Sequence, residues 1–114
     1  MAKITHIERL TLEQFVELYE TKIFKVNSKR KMFWYYFIKS NNLTCRVTNK
    51  KVAYCSLDME KDKSLHYNFY SEDGELFNID HKLPKSLGGT NDIDNVQPMI
   101  AEENRKKGSQ LIYL

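Results

Sequence analysis

Neither glycine nor proline occurs in the first 73 residues of this 114-residue chain. The 4 Gly and 2 Pro all lie between Gly74 and Gly108, so sharp backbone turns are confined to the last third and the remainder is built without the usual loop punctuation. Long apolar runs are missing as well. None approaches the ~20 residues of a membrane span, and the longest aromatic run, Met32 to Ile38, is flanked by Lys31 and Lys39. The opening Met-Ala-Lys-Ile-Thr-His lacks the apolar core of a signal peptide, which makes a cytoplasmic chain with no membrane contact the expectation. Cysteine is scarce. Cys45 and Cys55 read as two free thiols, because a single pair in an intracellular chain is usually left reduced. There is no internal repeat and no low-complexity segment, and a chain of this length with 41% hydrophobic residues supports one core, hence one domain over 1–114.

Charge is present but unevenly placed. No acid occurs from Thr21 to Leu57, where Lys22, Lys25, Lys29, Arg30, Lys31, Lys39, Arg46, Lys50 and Lys51 accumulate. Residues 58–104 are predominantly acidic, and Arg105, Lys106 and Lys107 follow. A basic segment of this length suits a polyanion, since each neutralised phosphate releases counterions, although two solvated helix faces would look the same.

Thr11 with Gln14 forms a capping box, and Leu12, Phe15, Val16, Tyr19 and Ile23 recur at helical spacing, which predicts a helix from Leu12 to about Phe24. Ser28 as N-cap and Asn41-Asn42 as a stop predict a second helix ending near Ser40, with its aromatics in the core rather than stacking on bases. Strands are expected at Lys51 to Leu57, Leu65 to Tyr70 and Glu75 to His81, the last two joined by a turn at Asp73-Gly74. Pro84 and Gly88-Gly89 demand a loop. A short extended piece at Asn95 to Gln97 should lead into a helix with Pro98 in its first turn and Gly108 as its stop.

The informative residues are Asp80-His81, Pro84, Gly88-Gly89, Asn95, Asn104 and Lys107. Singly, each has a bland explanation as a turn, loop or exposed helix residue. Jointly they have a chemistry. If the last helix packs across the strand that ends at His81, Asn104 faces Asp80. A carboxylate and an amide oxygen are hard ligands suited to Mg²⁺. An imidazole beside them can take a proton from water near neutral pH, a combination suited to phosphodiester hydrolysis.

These residues resemble the HNH family of nucleases over about 76–108, with weaker similarity from Leu43 onward. The resemblance implies an α+β fold: a ββα-metal (HNH) core at 76–108 within an HNH region at 43–114, an added β-hairpin, and an N-terminal helical extension over 1–42. It implies a metal-dependent DNA endonuclease in which His81 is the general base and Asp80 and Asn104 hold one divalent ion. Mg²⁺ is the expected ion, with Mn²⁺ and Ni²⁺ as alternatives. Asn95 would hold the loop between the two strands in shape and so keep His81 aimed, while a backbone carbonyl of that loop would fix the ring's tautomer. Lys107 matches a frequent lysine of the family and would hold a phosphate. Arg105 and Lys106 would do the same or complement the helix dipole, and Lys82, Lys85, Lys50 and Lys51 are the further candidates for touching DNA, expected to be double-stranded.

Many HNH proteins bind a structural zinc through two Cys-x-x-Cys pairs. Here Leu43-Thr44-Cys45-Arg46-Val47-Thr48-Asn49 resembles the first pair with only Cys45 left, and the second would fall at Ile100 and Glu103, so no structural zinc is expected. In this the chain is similar to the zinc-free HNH domain of RNA-guided CRISPR nucleases. The alternative reading is a DNA-binding module that no longer cuts, or an accessory of the same fold acting with a larger protein partner such as a phage packaging enzyme. His6 and His66 have no partner motif and read as surface or core residues.

Overall fold

In the computed structural model, residues 4–21 and 28–108 are described. Thr11 closes the start of α1 (Leu12–Glu20) with both halves of the capping box. The helix ends earlier than its apolar spacing suggests. Thr21 caps it, its hydroxyl donating to Glu17 O at 2.8 Å, and the expected extension over 22–24 lies outside the described residues. Helix α2 (Lys29–Lys39) starts at Ser28, whose side chain accepts from the Lys31 N–H. Beyond the Ser40 cap, Asn41 turns the chain at φ 57°. Phe33, Trp34 and Phe37 point inward, whereas Tyr36 is 47% exposed, so the aromatic run is a core stripe with outward tyrosines.

Five strands form one antiparallel sheet in the order β1 (Thr5–Leu10), β2 (Val52–Met59), β3 (Leu65–Ser71), β4 (Leu76–His81) and β5 (Val96–Ile100). The architecture is thus mixed α and β, with a third helix, α3 (Ala101–Lys107), following β5 directly. One rung runs across all five strands through Leu10, Cys55, Phe69, Phe77 and Ile100, each buried. Helices α1 and α2 cover this face. The Trp34 ring stacks on Phe69 at 4.2 Å between centroids, and Phe15 meets the same ring edge-on at 5.0 Å.

Two features correct the sequence reading. The N-terminal extension is not purely helical: Thr5–Leu10 is an edge strand paired with β2. Its side chains are exposed except for Leu10, so it carries almost no inward-outward alternation to betray it. Pro98 lies in β5, paired with Ile79, and not in the first turn of α3. As the last strand of the sheet, β5 has an edge where a missing N–H costs no ladder bond. The turn at Asp73-Gly74 forms with Gly74 at φ 86°, a conformation that glycine adopts without penalty.

The opposite sheet face holds a polar cluster. Asp58, fully buried, accepts from His6 Nδ1 (2.7 Å), Ser56 Oγ (2.5 Å), Asn68 Nδ2 (2.9 Å) and the Tyr70 hydroxyl. Burial pushes this carboxyl up, but the four donors outweigh it and hold it below the ordinary carboxylate value. Among the described residues no helix is long and apolar enough to cross a membrane.

Candidate active site

Asp80 and His81 close β4, opposite Gln97 and Val96 of β5. Because α3 leaves β5 with no linker, its seven residues, about 10 Å of helix, return across the end of β4. Lys107 in its last turn reaches Asp80. The ammonium donates to Asp80 Oδ1 at 2.7 Å and to the His81 carbonyl at 2.8 Å, and Gln97 Nε2 donates to Asp80 Oδ2 at 2.9 Å. Both members of the ion pair are buried, with side-chain exposures of 1% and 3%. Lys107 was expected to hold a phosphate; in the structure its ammonium is bonded to Asp80 and to the His81 carbonyl.

Asn104 lies one turn before Lys107 and lines the same cleft, of about 320 Å³, together with Asp80, His81 and Pro84. No hydrogen bond of its side-chain amide is found among the described residues. A carboxylate oxygen has two acceptor directions, so Lys107 and Gln97 leave one open on each oxygen of Asp80. A carboxylate and an amide oxygen are donor types that a hard divalent cation accepts, although Asp80 is also paired with Lys107. Among the described residues no group of three or more His, Cys, Asp or Glu is arranged to hold a metal ion.

The loop from Lys82 to Asn95 frames the cleft. Asn95 clasps it with three side-chain bonds: its Oδ1 accepts from Leu83 N (2.9 Å), and its Nδ2 donates to Leu83 O (3.1 Å) and Thr90 O (2.8 Å). Gly89 passes so close to the chain that a Cβ there would stand 1.7 Å from Leu83 O. His81 extends from the strand end, half-buried, with Nε2 2.8 Å from Asn91 Oδ1. A side-chain amide thus meets the ring where a backbone carbonyl was expected.

The other basic candidates divide by position. Lys85 lines the cleft, and Lys82 is exposed beside it. Arg105 and Lys106 are exposed on α3 and pair with Glu102 (2.6 Å) and Glu103 (3.6 Å). Lys50 is bonded to Asp73 (3.0 Å) and Glu75, and with the exposed Lys51 it borders a separate groove at the β3–β4 turn. The cleft thus collects Asp80, His81, Lys85, Asn104 and Lys107, but not Lys50 and Lys51.

Cys45 and Cys55 are free and buried. The Ile100 N–H points at Cys45 Sγ from 3.4 Å, bringing together the two places where the zinc-binding pattern would have put its cysteine pairs. Burial raises the Cys45 thiol, yet the Thr48 hydroxyl and the N–H groups of Ile100, Thr48 and Val47 bring it below its ordinary value. Cys55, in the core, is pushed up to about 12 by burial. Sequence reasoning missed Asn91, Gln97 and the Asp58 cluster. Neither Gln97 nor Asn91 had a local signal: Gln97 meets Asp80 through the β4–β5 register, and Asn91 is marked only by its place in the loop.

The sequence model of the HNH endonuclease family matches residues 53–110, a span that runs from the second residue of β2 through α3 and includes every residue of the cleft. No curated protein and no solved structure matches the chain. That match covers just over half of the sequence and spans Asp80, His81, Asn95 and Asn104, and the chain belongs to the HNH endonuclease family.

Proposed function

We propose that this chain hydrolyses phosphodiester bonds in double-stranded DNA at the cleft between β4 and α3, with β4, the clasped loop, β5 and α3 forming the ββα-metal core. One observation carries the reading: Asp80, His81 and Asn104 open into a single cleft, with the loop that leaves His81 closed by Asn95. His81 takes a proton from the attacking water. The water oxygen bonds to phosphorus, the bond to the 3′-oxygen breaks, and the departing oxygen is protonated from solvent. Asp80 and Asn104 would hold the divalent ion, Mg²⁺ or in its place Mn²⁺ or Ni²⁺, which would supply charge stabilisation at the phosphate. Lys107 serves as the counter-ion that fixes the Asp80 carboxylate and the end of β4, a role its burial supports over direct phosphate contact. Lys85 and Lys82 at the cleft, then Arg105 and Lys106, hold the DNA backbone; Lys50 and Lys51 extend that contact along a second surface. Cys45 packed on Ile100 takes the place of a structural zinc.

The test is conversion of supercoiled plasmid to nicked or linear form with Mg²⁺. Wild type is expected to cut, and His81→Ala to lose about 10²–10⁴-fold in rate. Equal cutting by the two proteins would sink the assignment of the base. A second reading, a DNA-binding module or an accessory to a larger protein, draws on one observation: Asp80 already carries a cation in Lys107. Salt-dependent DNA binding with no cleavage in Mg²⁺, Mn²⁺ or Ni²⁺ selects that reading.

A further inference from the structure

A neutral imidazole has one N–H and one lone pair, and the neighbour of one nitrogen decides which is which. At His81 that neighbour is Asn91, whose Oδ1 lies 2.8 Å from Nε2. An amide oxygen only accepts, so Nε2 carries the proton and the lone pair falls on Nδ1. Asn91 is exposed, yet the chain on both sides of it is fastened. Thr90 O accepts from Asn95 Nδ2 at 2.8 Å, the Thr90 hydroxyl donates to Asp92 Oδ2 at 3.0 Å, and Asp92 O accepts the Asn95 N–H at 2.8 Å. Lys107 holds the His81 carbonyl at 2.8 Å, so the backbone from which the side chain hangs is held too. With both ends anchored, the Asn91 bond sets the rotation of the imidazole and does not merely follow it.

We infer that Asn91 is a positioning residue, which fixes the Nε2–H tautomer of His81 and turns its Nδ1 toward the attacking water. The inference rests on the reading of His81 as general base. It separates the tasks of two asparagines: Asn95 shapes the loop, and Asn91 orients the ring.

The chain has three histidines, so His81 is assigned in ¹⁵N-labelled full-length protein by comparison with His81→Ala, and a long-range ¹H–¹⁵N correlation above neutral pH reads its tautomer without substrate. The wild type is expected in the Nε2–H form and Asn91→Ala in a mixture of the two. Plasmid cleavage by Asn91→Ala should lose about 10- to 100-fold in kcat at unchanged KM, by analogy with the loss when an outer partner of a metal-bound histidine is removed. Asn91→Asp keeps an acceptor at the same place, and should keep the tautomer and most of the rate. An Nδ1–H form in the wild type, or an unchanged tautomer and kcat in Asn91→Ala, overturns the inference. A wild type that cuts nothing but loses its Nε2–H form in Asn91→Ala overturns the nuclease reading, and leaves the orienting role of Asn91 supported.

Discussion

Asp58 and Asp80 are both out of water, and the sheet stabilises them in different ways. Asp80 has a cation and an amide; Asp58 has hydrogen bonds from His6, Ser56, Asn68 and Tyr70. The Asp58 carboxyl lies below its ordinary value in the folded chain, so its contribution to stability is fully present above the unfolded value of about 3.9 and is lost as the pH falls through the folded one. Asp58→Asn should therefore destabilise the protein at neutral pH, by about 1–3 kcal/mol, because an amide N–H replaces an acceptor among donors. Thermal melts below about pH 4 should also show a flatter acid dependence for the variant than for the wild type. A parallel acid dependence would mean that other carboxyls, such as Asp62 and Asp73, which Ser64 and Ser71 hold low, carry the effect. At this scale the Lys107–Asp80 pair was not legible. The resemblance offered Lys107 to a phosphate, and nothing local marks a lysine whose partner is 27 residues away.

At the scale of elements, the short connections do the positioning. The glycine pair between Pro84 and Asn95 is needed for two different reasons. Gly88 sits at φ 94° with open space around its missing Cβ, whereas Gly89 has a contact problem: Leu83 O at 1.7 Å and Pro84 O at 2.9 Å from where a Cβ would stand. Gly89→Ala must therefore push the loop off Leu83, whose N–H and carbonyl are both held by Asn95. The expected outcome is a stability loss of roughly 1–3 kcal/mol with cleavage falling more than tenfold, far-UV circular dichroism staying unchanged. Full activity in that variant would show that the Asn95 clasp is not required to aim His81. The elements themselves were legible where the signal is local. Caps at Thr11 and Ser28 and the Gly74 turn needed only neighbouring residues, and β2 to β4 alternated or were rich in β-formers. Strand β1 and the true start of α3 were not legible, because pairing with β2 about 50 residues away and the edge position of β5 are non-local facts.

For the whole molecule, the core is an aromatic layer between α2 and the middle of the sheet. Trp34 is fully buried, stacks on Phe69 and has no hydrogen-bond partner for its Nε1 among the described residues. Trp34→Ala should cost about 3–5 kcal/mol in denaturant unfolding. Trp34→Phe should cost much less, because the unsatisfied N–H leaves with the indole; equal losses would mean that Nε1 has a partner. The Gly-free and Pro-free part of the chain thus supplies β1 to β3 beside the strands that carry the cleft, and the helices packed on the core face of the sheet. The amino-acid sequence by itself determined the family, the helices α1 and α2 and the strands β2 to β4, and it singled out Asp80, His81, Asn95 and Asn104 as the candidates, since spacing, caps and turns act over a few residues and are written in order along the chain. Only the tertiary structure decided that Lys107 turns inward to Asp80, that Gln97 completes that carboxylate, that Asn91 meets His81 and that Thr5–Leu10 closes the sheet. Each of these depends on which residues the sheet register and the return of α3 bring face to face, and register is set by the sum of many distant contacts.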